Sequence, residues 1–569
     1  MSSRFSLFVL FSCFAGQLFA QTTYLPLQTN SYPLIDRLET RSGMLGKRLF
    51  STVKPVSRRE LVAFLLEQQA QADSNGLTEI DRYNIEQQIS MSGEWTPAED
   101  GAIDSKKPLF GRLYRKQPDL LHIKTDNFFL AANPVISAAA SYETATDFSG
   151  KLLQSTRGVE LRGWIAKKVG FYTFFSDSQD QLPSYVRDWV YRYAAVPGTG
   201  YYKDANPSHF DYLQGRGYID FAAVKDHINV SFGHDKHFYG DGIRSLFLSD
   251  FPANTTFLRI NTKIWKLNYQ NLFLELVPNY QRSIDYLYPK KYAAIHQLDF
   301  NVNRWLNIGL FESVVFARKD RFEFGYLIPL IFYRAVQRQL GDPDNANVGL
   351  SFKAVAAKHL QFYGQFMLDD FTAKQFFSRN GYWANKYGVQ LGMKYFDAFT
   401  VKNLDLQGEV NIVRPYTYSH YDSIGNYTHY NQPLAHPLGA NFAELIGNIR
   451  YQPVKKLFID LRGIYYQQGV DTGAANYGSD VFRNYFEATS VTSDSTAWMF
   501  NHGLLSGVKV GCITLNMNIG YEVHPNMFLE FGFSHRRYEH KSLPVPEKSS
   551  TWAYFGFRAN IARRDFNFR

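Results

Sequence analysis

The sequence predicts an all-β transmembrane barrel of about 18 antiparallel strands with a small N-terminal periplasmic helical bundle, and three observations predict it. The first is a period of two in side-chain character, clearest from Asn441 to Arg537. In Val508 to Val523, residues Ile513, Leu515, Met517, Ile519, Tyr521 and Val523 fall on one face, and Thr514, Asn516, Asn518, Gly520 and Glu522 on the other. Successive side chains of a strand point to opposite sides, so this segment has one apolar and one wet side. Asn441 to Tyr451, Lys456 to Tyr465 and Met527 to Arg536 repeat the pattern.

The second observation is an asymmetry of the links. Short ones at Ala166 to Lys168, Val224 to Asp226, Tyr269 to Asn271, Asn303 to Trp305, Ala356 to Lys358, Phe396 to Lys402, Gln452 to Lys455 and His524 to Asn526 alternate with long ones. The long ones include Ser176 to Gln214, Asp235 to Asn261, Arg318 to Ala346, Arg414 to Gly439 and Gln467 to Gly507. Short periplasmic turns and long outer loops are the pattern of outer-membrane barrels, and a soluble sandwich does not require it. The third is composition. Aromatic residues make up 17% of the 569, with 38 Tyr and 48 Phe, an excess that girdles at both membrane interfaces would use. Beyond the N-terminus no run approaches the roughly 18 apolar residues of a spanning helix, so any membrane crossing is made by strands. A large soluble all-β protein would also alternate and is the competing class.

Taken in order, the chain opens with Arg4, an apolar run from Phe5 to Phe14, and Leu18-Phe19-Ala20 before Gln21. This reads as a secretory signal peptide over residues 1–20. Bulky Phe11 and the short run before Cys13 make a poor lipid-attachment context. Cleavage after Ala20 leaves Cys512 alone, which excludes an intramolecular disulfide and a cysteine metal cluster. Basic residues exceed acidic ones by nine, or by eight without Arg4; the excess suits anionic glycans or lipopolysaccharide, or a solvated surface. Residues 21–95 read as helical. Leu34, Ile35 and Leu38 fall at helical spacing before Gly43, Ser57 to Glu60 forms a capping box, and Thr78 with Asp81 starts a third helix. A bundle of about 70 residues needs a partner surface, and the periplasmic mouth of the barrel would supply one. Residues 96–126 read as a connecting stretch, and 127–569 as the barrel.

Strands are expected to begin near Phe128, Val159, Val169, Gly215, His227, Lys263, Leu272, Ala293, Leu306, Asn347, His359, Lys386, Leu404, Phe442, Leu457, Val508, Met527 and Trp552. The end of the chain, with Asp565-Phe566-Asn567-Phe568, is similar to the terminal signal strand of outer-membrane barrels, although Arg569 follows the last Phe.

Function has to come from loops and lumen, because the wall is scaffold. Phe232 to Leu246 gathers Asp235, Lys236, His237, Tyr239 and Arg244 among three glycines. It reads either as a ligand-contact loop or as a plug that folds back into the lumen, its glycines serving the backbone. His234 and His237 have no third ligand at standard spacing, so no metal is expected. From Pro415 to Gln432, Tyr416, Tyr418 and Tyr421 interleave with short polar residues; aromatic faces can stack on sugar rings, or pack the loop. Asp342-Pro343-Asp344-Asn345 reads as a proline turn rather than a calcium loop, and Arg334 beside it can meet acidic sugars or those aspartates. Asp369 and Asp370 are adjacent on a strand and point to opposite faces, so they cannot share a proton site. No nucleophile elbow, metal triad or phosphate loop is present, and no catalysis and no cofactor are expected.

Gly233 to Asp250, G-H-D-K-H-F-Y-G-D-G-I-R-S-L-F-L-S-D, resembles a signature of the capsule-assembly Wzi family of outer-membrane barrels, with Gly240-Asp241-Gly242 where Gly-Pro-Gly is common. Ile328 to Arg334, Gly341 to Asn345, Tyr363-Gly364-Gln365 and Asp369-Asp370-Phe371 are similar to the RemB-like gliding-motility branch. The resemblance implies a lectin-like anchor of surface or capsular polysaccharide in the outer membrane of a Gram-negative bacterium. Its partners would be that glycan, outer-membrane lipid and lipopolysaccharide, with no nucleic acid. A motility component or a diffusion channel remains the alternative. The residues expected to meet ligand are Asp235, Lys236, His237, Tyr239, Arg244, Arg334, Tyr416, Tyr418 and Tyr421.

Overall fold

A computed structural model of the chain describes residues 22–96, 104–105, 108, 110–206, 208–278, 287–319, 321–330, 332–473, 475–487 and 499–568. The expected signal peptide lies outside the described residues.

Eighteen antiparallel strands close into one barrel. They are β1 (Phe128–Ala145), β2 (Phe148–Ile165), β3 (Val169–Gln181), β4 (His209–Val224), β5 (Ile228–Asp235) and β6 (Thr255–Ile264). β7 (Leu267–Leu276), β8 (Lys291–Asn301), β9 (Leu306–Phe316), β10 (Asn345–Ala356), β11 (Leu360–Asp370) and β12 (Lys386–Tyr395) follow. β13 (Leu404–Val413), β14 (Phe442–Val454), β15 (Leu457–Val470), β16 (Val508–His524), β17 (Met527–His540) and β18 (Lys548–Ala559) complete the ring, β18 pairing with β1. Alternation along the strands sorts side chains between lipid and lumen. On β16, Ile513, Leu515, Tyr521 and Val523 are exposed on the outer wall, whereas Thr514, Asn518 and Glu522 are buried inside. An apolar outer wall with no sheet edge is what a bilayer demands of strands.

All eighteen expected strands are present, with three late starts. β2, β4 and β6 begin at Phe148, His209 and Thr255 rather than near Val159, Gly215 and Lys263. The outer end of β2 carries polar residues such as Lys151, Gln154 and Ser155, which blur the alternation there. Tyr269 to Asn271 is not a link. It lies within β7, whose Asn268 and Gln270 are buried toward the lumen, and Trp265 and Lys266 make the turn. The end of the chain is also not a strand. β18 stops at Ala559, and the following segment enters the lumen, where Phe566 and Phe568 pack near Trp189.

Among the described residues three helices stand before the barrel: α1 (Ser31–Ser42), α2 (Arg58–Ala70) and α3 (Glu79–Ser90). Their ends follow the sequence signals. Gly43 caps α1 in the left-handed region at φ 68°, the Ser57 hydroxyl accepts from Glu60 N, and Thr78 and Asp81 form a reciprocal capping box. Ile35, Leu38, Leu61, Leu65, Ile85 and Ile89 share one small core. The bundle caps the mouth on the side of the short turns. The Arg37 guanidinium lies 2.6 Å from Asp81 of α3 and 2.7 Å from both Asp397 and Asp405 at the β12–β13 turn. Leu45 N donates to Arg304 O at 2.7 Å, and Asn84 to Gln452 at 2.8 Å.

A second ionic cluster ties the bundle to the wall. Lys353 Nζ of β10 lies 3.1 Å from Asp36 and 2.7 Å from Glu39, both of α1, and 3.2 Å from Asp241 of the β5–β6 loop. Lys394 of β12 reaches the other Asp36 oxygen at 2.7 Å. Removing one partner of a buried cluster strands the others, at about 3–5 kcal/mol. Lys353→Met is therefore expected to undock the bundle, read as protease cleavage within 22–96 while the barrel stays heat-resistant in gel shift. Burial pushes the Asp36 carboxyl up, but Lys394, Lys353 and Lys54 together hold it well below the ordinary range. A depressed carboxylate contributes its stability in full above about pH 4 and loses it as the pH falls toward the lowered folded value. Proteolysis of the bundle is accordingly expected to rise on acidification below about pH 4, and Asp36→Asn to flatten that response.

Candidate functional site

The lumen is filled from three directions. From below come the residues around Tyr24 and Val53 of the N-terminal region, and from above the β5–β6 and β13–β14 loops. The third element is the segment after β18. In the middle, Phe238–Tyr239 of the β5–β6 loop pairs antiparallel with Val53–Lys54, so the upper and lower plugs are joined by backbone hydrogen bonds. Wall residues that point inward hold the loop. Glu409 of β13 accepts from Ile243 N at 2.6 Å and Arg244 N at 3.0 Å, and Gln365 of β11 accepts from Leu246 N at 2.7 Å and donates to Tyr239 O at 2.9 Å.

Gly240-Asp241-Gly242 sits at the closest approach of loop to wall. Gly240 has φ 146°, and a Cβ there would lie 2.8 Å from the Gln365 amide. A Cβ on Gly242 would lie 2.5 Å from Glu409 Oε2 and 2.8 Å from Arg244 O. Asp241 between them accepts from Thr52 at 2.9 Å and meets Lys353. The glycines thus permit contact with the wall, and the aspartate locks the loop to the bundle. Gly242→Ala is expected to displace the loop and raise single-channel conductance above a near-zero wild-type value, with the strand content unchanged by circular dichroism.

The structure separates the nine residues expected to meet ligand. Tyr239 is 0% exposed, its hydroxyl donating to Gln270. His237 is buried edge-on against Phe257 at 4.5 Å. Tyr416 and Tyr418 are buried as well, their hydroxyls donating to Asn476 O at 2.9 Å and Leu246 O at 2.8 Å. These four pack the plug and its loops and offer no surface. Arg244 pairs with Glu444 at 3.0 Å and donates to Asn567 O. Asp235 and Lys236 close the top of β5, where the ammonium donates to Asp250 O at 2.9 Å. Arg334 is on α4 (Tyr333–Gln339), in the β9–β10 loop, and pairs with Asp342 at 3.2 Å. That loop lies over the outward faces of β7–β9, burying Tyr326 and Tyr333 against Phe273, Ala294 and Phe316, and its Pro343 O accepts from the Tyr421 hydroxyl at 3.5 Å. Tyr421 alone of the tyrosines reaches solvent, at 38% exposure.

Tyr421 belongs to an outer aromatic face built from three loops, β11–β12, β13–β14 and β15–β16. Trp383, Tyr416 and Met499 pack around Tyr382 and Tyr485. The rings of Trp383 and Tyr485 are 4.6 Å apart, those of Tyr485 and Phe486 4.8 Å, and Tyr421 lies 6.4 Å from Phe486, which is 59% exposed. Polar groups flank it. The buried His420 ring lies 4.3 Å from Tyr421, tilted by 44°, and bonds the exposed Asp422 at 2.9 Å, while beneath the face buried Lys386, paired with Asp369 at 2.9 Å, sits 4.9 Å over the Tyr485 ring. Sequence reading missed Trp383, Tyr485 and Phe486. Their aromatic pairs, Tyr382-Trp383 and Tyr485-Phe486, stood in long links, but nothing local says that links so far apart converge.

No protein-family model matches the chain, and no curated protein matches it by sequence. Among solved structures it is similar to Wzi, an Escherichia coli outer-membrane protein involved in group 1 capsule assembly and described as a carbohydrate-binding β-barrel. The superposition covers 94% of this chain and 99% of Wzi, with a TM-score of 0.53 at 11% identity. The chain shares its fold with Wzi. OprD of Pseudomonas aeruginosa also matches, over 76% of this chain and 94% of its own, with a TM-score of 0.41 at 11% identity. The fold is thus that of Gram-negative outer-membrane barrels, which fixes the side of the short turns as periplasmic.

Proposed function

We propose that this barrel is a non-catalytic anchor that binds a surface or capsular polysaccharide at its outer aromatic face, held in a bilayer of outer-membrane lipid and lipopolysaccharide. The observation that carries the reading is that face itself, with Tyr421 and Phe486 presenting exposed rings and exposed Asp422 at their edge. An amphipathic ring suits the half-apolar face of a sugar, and short polar groups beside it can bond the hydroxyls. The full-length likeness in fold to a carbohydrate-binding barrel supports it. A diffusion channel is less consistent with a lumen occupied by three segments joined to one another and to the wall.

The test is glycan retention. A deletion strain is expected to make polymer but shed it to the medium, and the intact gene to restore attachment. Complementation with Tyr421→Ala/Phe486→Ala is expected to fail in part, since losing two stacked rings removes about 1–3 kcal/mol. Unchanged attachment in the deletion strain would sink the anchor reading and turn attention to motility.

A further inference from the structure

Beneath the outer plug the lumen is not solid. A cavity of about 420 Å³ runs between the N-terminal region, the β5–β6 loop and the segment after β18. Sites for small molecules are usually roughly 300–1,000 Å³, and this space falls within that range, a size that suits a short oligosaccharide. It continues downward into a second cavity that shares Leu27 to Asn30, Arg450 and Ile561 with it and extends to Asn84, Gln452 and Asn526 at the periplasmic rim. Upward it ends against Phe251, Phe566 and Phe568, which pack with Trp189 in the outer plug.

Its lining is basic. Among the described residues ten lysines and arginines and five aspartates face it. Some of these cations are neutralised from behind: Arg558 pairs with Glu530, Arg564 with Asp180 and Arg244 with Glu444. Others keep an excess. Arg450, Arg462 and Arg563 share only Asp460 and Asp565, at 2.9 to 3.5 Å. Lys54 and Lys236 have no carboxylate within 4.0 Å among the described residues; they donate to Gly240 O at 2.5 Å and Asp250 O at 2.9 Å. Burial pushes both ammonium groups down to about 8, against the opposing pull of Asp241 and Asp36 on Lys54 and of Asp250 on Lys236. Rings and amides stand between the charges, among them Tyr32, Phe174, Phe238, Gln214, Gln407 and Asn254.

More cations than carboxylates along an elongated chamber, with aromatic faces and amide groups between them, match one chemistry. We propose that the lumenal chamber is a binding site for an acidic saccharide of several residues, admitted from the periplasmic side, with Lys54, Lys236 and the Arg450–Arg462–Arg563 group meeting its carboxylates. The choice of a saccharide rests on the reading of this barrel as a glycan binder; the charge of the ligand rests on the chamber alone. The chamber is distinct from the outer aromatic face, from which the plug separates it.

Titration calorimetry on the full chain in detergent tests this, with trigalacturonate, maltotriose and inorganic phosphate as probes. Trigalacturonate is expected to bind, more weakly as salt is raised, and maltotriose and phosphate to bind at least about tenfold more weakly. Lys54→Gln/Lys236→Gln is expected to lower trigalacturonate affinity about tenfold with the melting temperature retained, and Tyr421→Ala/Phe486→Ala to leave it unchanged. If the lysine pair does not fold, Arg462→Gln is measured in its place with the same expectation. Equal binding of maltotriose would overturn the ionic site, and equal binding of phosphate would overturn the saccharide. Loss of binding in the aromatic variant alone would move the site to the outer face. No binding of any probe would overturn the chamber, whereas unchanged glycan retention on cells with intact trigalacturonate binding would count against the outer face only.

Discussion

The closed lumen depends on a few charges buried where the pieces meet. Lys353 brings together Asp36 and Glu39 from α1 and Asp241 from the β5–β6 loop, so one ammonium on the wall joins the lower plug to the upper one. Arg37, next to Asp36 on α1, repeats the device at the rim with three carboxylates. Such clusters add little net stability against apolar packing, but they punish misplacement, because each displaced member leaves a desolvated charge. A barrel with a polar inner wall has few other means of holding a plug in one register. That specificity is the physical use of so many buried ionisable groups.

The same constraint explains the glycines. A loop that must bring its backbone amides to Glu409 and Gln365 cannot carry side chains at the points of contact, and Gly242 leaves a Cβ no room beside Glu409. Asp241 is then free to turn toward Lys353. The glycines and the aspartate that mark this loop in the sequence are thus accounted for by docking.

Much of the fold was legible because a barrel writes its geometry into period and link length. β16 shows it plainly, as does the short turn between β16 and β17. Legibility failed where the local rule loses its cause. Outer strand ends lack a lipid face, so β2 looked shorter than it is. Tyr269 to Asn271 looked like a turn because Gln270 points into the lumen, which, unlike a protein core, accepts amides. Phe566 and Phe568 looked like a terminal strand because burial in the lumen and burial in the girdle select the same residue type. For the site the sequence showed composition but not convergence. The tyrosines of the β13–β14 loop are alike on paper, yet Tyr416 and Tyr418 are inside and Tyr421 is outside.

Closure from both ends has a consequence for the space it leaves. The plug is continuous through the pairing of Phe238–Tyr239 with Val53–Lys54, so the outer loops and the periplasmic bundle are mechanically one unit within the wall. Any ligand that enters from below meets the underside of the same loops whose upper side carries Tyr421 and Phe486. Binding in the chamber and binding outside therefore act on a shared element, the β5–β6 loop with the β13–β14 loop packed on it. Two sites linked by one rigid piece couple only as far as each ligand prefers one arrangement of that piece. With the plug pinned by Lys353 and Glu409, alternative arrangements are costly, so the two faces are expected to act as nearly independent sites on a fixed scaffold.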